Sequence, residues 1–333
     1  MQKLSLALIG AALASGSCTS IAADSLPVLN LDTAQLTVSG LSSGGYMATQ
    51  YHIANSDKVI GAAMLASGPY YCATNDIGVA LERCVNKVDT PIDVNALNAQ
   101  AKKWADSGAI APLEGLKNSN VWLFHGTADT LVNSKVSDAL FAQYQQWVPE
   151  TQLTYVNDQP FAHVFPTLDQ GGSCTESASP YVGKCEYDAA GELLNALLGE
   201  LTPPDESLSG TVVTLDQQAI AGDDASTMGD EAYAYIPADC AAGEACRVHV
   251  SFHGCNQYAD AVNLAYVEQT GLNRWADDNQ IVVLYPQTKK SLLMPMNPQG
   301  CWDWWGYTGD QYATKNGPQL KAVDALISHL AKR

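Results

Sequence analysis

Apolar runs and amphipathic stretches alternate along most of this chain. Val59–Gly68, Val121–His125 and Ile281–Pro286 are continuous apolar runs, as expected for parallel strands buried on both faces. Leu36, Val38 and their neighbours add a short strand, and Arg247–Phe252 alternates before turning at Gly254. Gln152–Val156, Thr211–Leu215 and Ala232–Ile236 are shorter strands. Between them the apolar spacing predicts helices over Ser43–Asn55, Val94–Ala105, Ser134–Trp147, Tyr187–Leu198, Ala261–Asp277 and Gln319–Leu330. The last carries Val323, Leu326, Ile327 and Leu330 on one face. Residues 71–119 and 288–312 read as insertions, and 166–186 as irregular chain. Strands alternating with helices define an α/β protein with a mostly parallel central sheet flanked by helices.

Composition narrows the setting. The chain has 333 residues, 47% hydrophobic and 16% charged, which suits a packed core rather than disorder. A net charge of −18 disfavours nucleic acid and anionic membrane surfaces as partners. Lys3, the apolar Leu4–Ala14 and the small residues at Ser20-Ile21-Ala22 predict a signal peptide over residues 1–23, and hence a secreted or periplasmic protein. Cys18 raises a lipoprotein alternative, which Ser15 disfavours because it stands where a lipobox takes a large aliphatic residue. No later segment is long and apolar enough to span a bilayer. Thr202-Pro203-Pro204-Asp205 reads as a linker between two halves, about 24–204 and 205–333, of one domain over 24–333. A monomer is expected.

Apart from Cys18, eight cysteines remain, an even set that reads as disulfides in an exported protein. Pairing neighbours in sequence closes local loops: Cys72–Cys84, Cys174–Cys185, Cys240–Cys246 and Cys255–Cys301. Zinc is the competing reading, and the lack of any C-x-x-C pair speaks against it, so no metal or cofactor is expected.

The chemistry centres on Gly40-Leu41-Ser42-Ser43-Gly44, a G-x-S-x-G run between a strand and a helix. Such a turn lifts the serine oxygen into the open. A serine hydroxyl needs a base to become a nucleophile. His163 lies on a loop beyond the strand that follows Asp129, which itself sits just past a strand end. Ser42, Asp129 and His163 therefore fall in the order nucleophile, acid, base. Among the other histidines, His52 and His329 read as surface residues on helices, His125 and His249 as structural strand residues, and His253 as part of a turn. The backbone N–H groups of Ser43 and Cys255 are the expected oxyanion donors, from the residue after the nucleophile and from the turn after His253-Gly254. The His253-Gly254 strand comes after the triad, whereas α/β-hydrolases place its equivalent before the nucleophile. Exchanging the halves restores the usual order, so a circularly permuted α/β-hydrolase fold is expected.

Together, Gly40–Ala48, Gly126-Thr127-Ala128-Asp129, Phe161-Ala162-His163, His253–Gln257 and Cys301-Trp302-Asp303-Trp304-Trp305-Gly306 resemble the poly(3-hydroxybutyrate) depolymerases, above all the single-domain, circularly permuted extracellular type. The resemblance spans nearly all of the mature chain. It implies a secreted serine esterase acting on short-chain polyhydroxyalkanoate or its oligomers, with Ser42, Asp129 and His163 as triad and the Ser43 and Cys255 N–H groups as oxyanion hole. It also implies a tryptophan-lined cleft, with Trp302, Trp304, Trp305 and Tyr46 as substrate-binding residues. Many bacterial relatives add a polymer-binding domain; none is expected before the chain stops at Arg333, so soluble oligomers or amorphous polymer fit better than crystalline granules. A feruloyl or acetylxylan esterase is the alternative enzyme reading, since those share H-G-C-type turns. A non-enzymatic polymer-binding protein on a hydrolase fold is the third.

Overall fold

The computed structural model describes residues 28–205 and 207–331, so the expected signal segment and Cys18 lie outside the described residues. Among the described residues eleven strands occur: β1 Asn30–Leu41, β2 Val59–Leu65, β3 Asn120–Phe124, β4 Leu153–Val156, β5 Phe165–Thr167, β6 Gly172–Ser173, β7 Val182–Lys184, β8 Thr211–Asp216, β9 Glu231–Ile236, β10 Ala245–Phe252 and β11 Ile281–Tyr285. Eight of them form one sheet in the order β4-β3-β2-β1-β10-β11-β9-β8. The run from β4 to β11 is parallel, and β9 and β8 close the edge antiparallel.

The centre of this sheet joins the two halves of the chain. β1 lies between β2, its neighbour in sequence, and β10, some two hundred residues later. Gly40 pairs with Phe252 and Leu41 with Leu65, so the Ser42 strand and the His253-Gly254 strand end on the same rim. This is the permuted α/β-hydrolase order expected from sequence, with the His253-Gly254 strand following the Ser42 strand in the chain instead of preceding it.

Side-chain alternation explains why the sheet is covered on both faces. Val38, Ala62, Met64, Val121 and Leu123 face one core, filled by Met47 and Tyr51 of the helix Ser43–Ala54 and by Val323, Leu326 and Leu330 of Pro318–Leu330. Leu41, Ala63, Leu65, Trp122 and Phe124 face the other, filled by Leu193, Leu194 and Leu197 of Ala189–Leu198 and by Leu272 and Ala276. Aspartate or asparagine caps start several helices: Asp76, Asp93, Asn133, Asp188 and Asp216 each accept from amides two or three residues on.

Three expectations change. The helix expected over Ala261–Asp277 is three short ones, Ala259–Val262, Ala265–Gln269 and Leu272–Asp277. Asn263 at φ 54° and Gly271 at φ 85° break it, because left-handed residues cannot continue a right-handed helix. Residues 166–186, read as irregular, include strands of a small three-stranded sheet, β5-β7-β6. His52, read as a surface residue, is fully buried and bonded through Nδ1 to the Tyr144 hydroxyl at 2.9 Å. Its helix is buried along its whole length, so no face was left for solvent.

Candidate active site

Ser42 sits at the carboxyl end of β1 and caps the helix Ser43–Ala54 at φ 59°, ψ −121°. This strained conformation is unusual for a residue with a side chain, and strain of this kind persists only where the surroundings enforce it. Here they do. The Ser42 N–H donates to the Leu65 carbonyl at 2.9 Å, and the Tyr46 N–H donates back to the Ser42 carbonyl at 3.0 Å. The flanking glycines are steric requirements: a Cβ on Gly40 would lie 2.2 Å from the Gly44 carbonyl oxygen, and one on Gly44 would lie 2.0 Å from that of Phe252.

Asp129 and His163 meet across 34 residues. His163 Nδ1 lies 2.7 Å from Asp129 Oδ2, and both side chains are buried. The other carboxylate oxygen, Oδ1, accepts from the amides of Leu131 at 2.8 Å and Val132 at 2.9 Å, so the carboxylate cannot swing away. Burial pushes the Asp129 carboxyl up. The His163 hydrogen bond and charge, the Val132 amide and nearby His125 outweigh that, and its pKa falls below the usual carboxylate value. The side chain is therefore ionised at neutral pH and fixes the imidazole with its proton on Nδ1.

Ser42, Ser43, His163, Gly254 and Cys255 share a cleft of about 1020 Å³. The Ser43 N–H belongs to the first turn of its helix, where amides have no partner within the helix. On the opposite side the Gly254 amide donates to Gln257 Oε1 at 2.7 Å and the Asn256 amide to the Gln299 carbonyl at 2.7 Å, with the Cys255 amide between them. His253 supports this turn from behind. Its Nδ1–H donates to the Gly254 carbonyl at 2.7 Å, and its Nε2 accepts from the Thr288 amide at 3.2 Å, which requires the neutral ring. The bridges are Cys72–Cys84, Cys174–Cys185, Cys240–Cys246 and Cys255–Cys301, the last tying the turn to the tryptophan loop.

The aromatic residues divide. Trp304 and Trp305 line the cleft, as does Tyr46, whose ring stacks on Trp304 at 4.7 Å. Trp302 does not. It is fully buried with its ring against Phe252 at 5.1 Å and His253 at 5.5 Å, so its expected contact with substrate is replaced by a place in the core behind the turn. Sequence reading missed the rest of the rim. Ile77, Leu81, Leu131, Met294 and Met296 line the mouth and are strongly exposed. The run Leu292-Leu293-Met294-Pro295-Met296 was the available signal, an apolar stretch inside a segment with no helix or strand to bury it. None of the described residues lining the cleft is Asp, Glu, Lys or Arg.

A strained serine at a strand–helix elbow, on a mostly parallel sheet with helices on both faces, defines an α/β-hydrolase. Comparison with known proteins is more particular. The chain is 40% identical over 332 residues to a poly(3-hydroxybutyrate) depolymerase of Delftia acidovorans, a match covering 98% of this chain and 65% of that one. It is 34% identical to a polyhydroxybutyrate depolymerase of Talaromyces funiculosus, covering 93% of each. Among solved structures, a serine-to-alanine variant of PHB depolymerase complexed with an R3HB trimer superposes with a TM-score of 0.86 at 33% identity, covering 92% of this chain and 98% of that one. The crystal structure of PHB depolymerase from Penicillium funiculosum gives 0.84 at 33% identity, covering 92% and 97%. No family model matches the chain. The chain belongs to the polyhydroxybutyrate depolymerase family.

Proposed function

We propose that the protein is an exported serine esterase that hydrolyses the ester bonds of poly(3-hydroxybutyrate) or its oligomers through an acyl-enzyme on Ser42. The observation that carries this is the joining of three features at one uncharged cleft: the Ser42 elbow, the 2.7 Å His163–Asp129 pair and aromatic walls. A polyester of 3-hydroxy acids presents methyl groups and ester carbonyls without charge, and such a cleft suits it.

In the reaction, Ser42 Oγ attacks the ester carbonyl while its proton passes to His163 Nε2. Asp129 stabilises the resulting imidazolium through Nδ1–H. The Ser43 and Cys255 amides receive the oxyanion. His163 then returns the proton to the departing alcohol, water repeats the attack on the acyl-enzyme, and a hydroxy acid leaves. The four disulfides suit an oxidising compartment.

The test is hydrolysis of hydroxybutyrate trimer beside feruloylated and acetylated sugars, by the wild type and by Ser42→Ala. The expected result is trimer cleavage that Ser42→Ala abolishes, with a serine-directed phosphonate attached to Ser42 alone. Label on Ser43 or Ser67, or activity confined to the sugar esters, would overturn it.

A further inference from the structure

Asp303 follows the buried Trp302 and precedes the cleft-lining Trp304. Its side chain is buried and accepts five hydrogen bonds. Oδ1 takes the amides of Trp305 at 3.2 Å, Gly306 at 2.7 Å and Tyr307 at 3.0 Å. Oδ2 takes the Thr308 amide at 2.7 Å and the Thr308 hydroxyl at 2.6 Å. No Lys, Arg or His pairs with it among the described residues. One carboxylate thus gathers the backbone from Trp305 to Thr308. A buried carboxylate without a cation is costly, and it is tolerated here because its lone pairs are satisfied by donors from this single loop.

The backbone of the same residue is anchored elsewhere. Its carbonyl accepts from Gln50 Nε2 at 2.8 Å, on the helix that begins at the nucleophile. Its amide donates to Gln319 Oε1 at 2.9 Å, on the final helix. Gln50 and Gln319 are both buried. Gln319 Nε2 also donates to the Tyr307 hydroxyl at 2.8 Å, closing the circuit onto the wall. Gly306, at φ +94°, gives the loop its turn, and Asn75 lies against it.

We propose that Asp303 is a positioning residue that fixes the aromatic wall of Trp304, Trp305 and Tyr307 relative to the Ser42 helix, and so sets the grip on longer oligoesters. This rests on the polyester reading above. Displacing the wall by a fraction of an ångström leaves the nucleophile, base and oxyanion donors where they are. Substrates that occupy only the acyl site then lose little, and substrates that extend along the wall lose much.

The experiment measures kcat and KM on hydroxybutyrate trimer and on p-nitrophenyl acetate for wild type, Asp303→Asn and Thr308→Val, with melting temperature and tryptophan emission. Asp303→Asn keeps one carbonyl oxygen for three amides but presents an NH2 group to the Thr308 amide. Thr308→Val removes one donor and keeps the rest. For Asp303→Asn the expected result is an oligomer KM higher on the order of tenfold or more, with a much smaller loss on the acetate and a shift in tryptophan emission. Thr308→Val should move the same quantities in the same direction by a smaller factor. Equal losses on both esters, or unchanged trimer kinetics in folded variants, would overturn the inference. If Asp303→Asn does not fold, the ratio for Thr308→Val decides. Failure of the polyester reading is distinct, because wild type itself would then leave the trimer intact.

Discussion

Three histidines, His52, His249 and His253, are fully buried, and each should make the fold sensitive to acid. Burial pushes His52 and His249 down to about 3. It pushes His253 to about 4, against a smaller opposing effect of its bond to Gly254. His125 moves in the same direction, again mainly through burial. The local bonding agrees with neutral rings. His249 lies between the hydroxyls of Thr37 and Ser39, at 2.8 Å from each, with no carboxylate to stabilise a charged form. His52 meets only Tyr144.

In the unfolded chain these rings regain an ordinary pKa of about 6.5. Below that pH the unfolded state takes up protons that the folded state refuses, so stability is fully present above about 6.5 and is lost as pH falls toward the folded values. Near pH 5 three rings contribute close to three protons, a slope of about 4 kcal/mol per pH unit at about 1.4 kcal/mol per proton. Integrated from pH 7 to pH 5, the loss is roughly 5–6 kcal/mol, comparable with the whole stability of many domains. One carboxylate opposes the histidines: burial raises the Asp303 carboxyl despite its hydrogen bonds to Thr308, Gly306 and Tyr307, so the folded state takes up that proton first and gains stability as pH falls. Asp129, whose pKa is lowered, also loses stabilisation in acid, but only near and below the ordinary carboxylate pKa of about 4. Relief of the −18 net charge opposes the histidines, and it too comes mostly where carboxylates titrate. The assay is urea unfolding with disulfides intact at pH 7, 6, 5.5 and 5. His52→Leu should have lower stability at pH 7 and a slope shallower by about one proton, or about 1.4 kcal/mol per pH unit. A wild-type slope of one proton or less between pH 6 and 5 would refute the reasoning.

Other outcomes follow from the site. Trp302→Ala should cost about 3–5 kcal/mol of stability and harm all ester substrates together, while Trp304→Ala should chiefly raise KM for hydroxybutyrate trimer; melting temperatures and the two-substrate ratio separate them. Asp129→Asn should keep the fold near pH 7 and lower kcat about 10³–10⁴-fold, because the imidazole loses its orientation. The double change Cys255→Ala, Cys301→Ala should lower kcat by up to about a hundredfold with a smaller effect on KM, since it loosens the Cys255 amide that we propose as an oxyanion donor; unchanged kcat would detach the bridge from catalysis.

Much of this architecture was legible because it is written in local pattern. Buried parallel strands read as continuous apolar runs, and the G-x-S-x-G elbow carries its own steric signature in Gly40 and Gly44. The order of Ser42, Asp129, His163 and the His253-Gly254 turn was enough to infer that the sheet is assembled from exchanged halves, and β10 indeed lies parallel beside β1, which brings the two strand ends together on one rim. The misreadings of His52 and Trp302 share a cause: each concerns which way a side chain faces, and that depends on packing between elements distant in sequence. His52 looked exposed because its helix carries polar residues, yet Tyr144, ninety-two positions later, covers it. Trp302 and Trp304 are indistinguishable by type or spacing, and only the ring of Phe252 below one and Tyr46 beside the other separates them. Asp303 is the sharper case. Written out, it is an acidic residue among tryptophans, which invites a solvent-facing reading on an inserted loop. Its meaning depends on Gly306 turning the chain back, so that four amides and a hydroxyl converge on one carboxylate. An aspartate followed by glycine three positions on and threonine five positions on fits such a turn. That pattern fits many surface turns equally well, and the buried anchors Gln50 and Gln319 are what make this one part of the cleft.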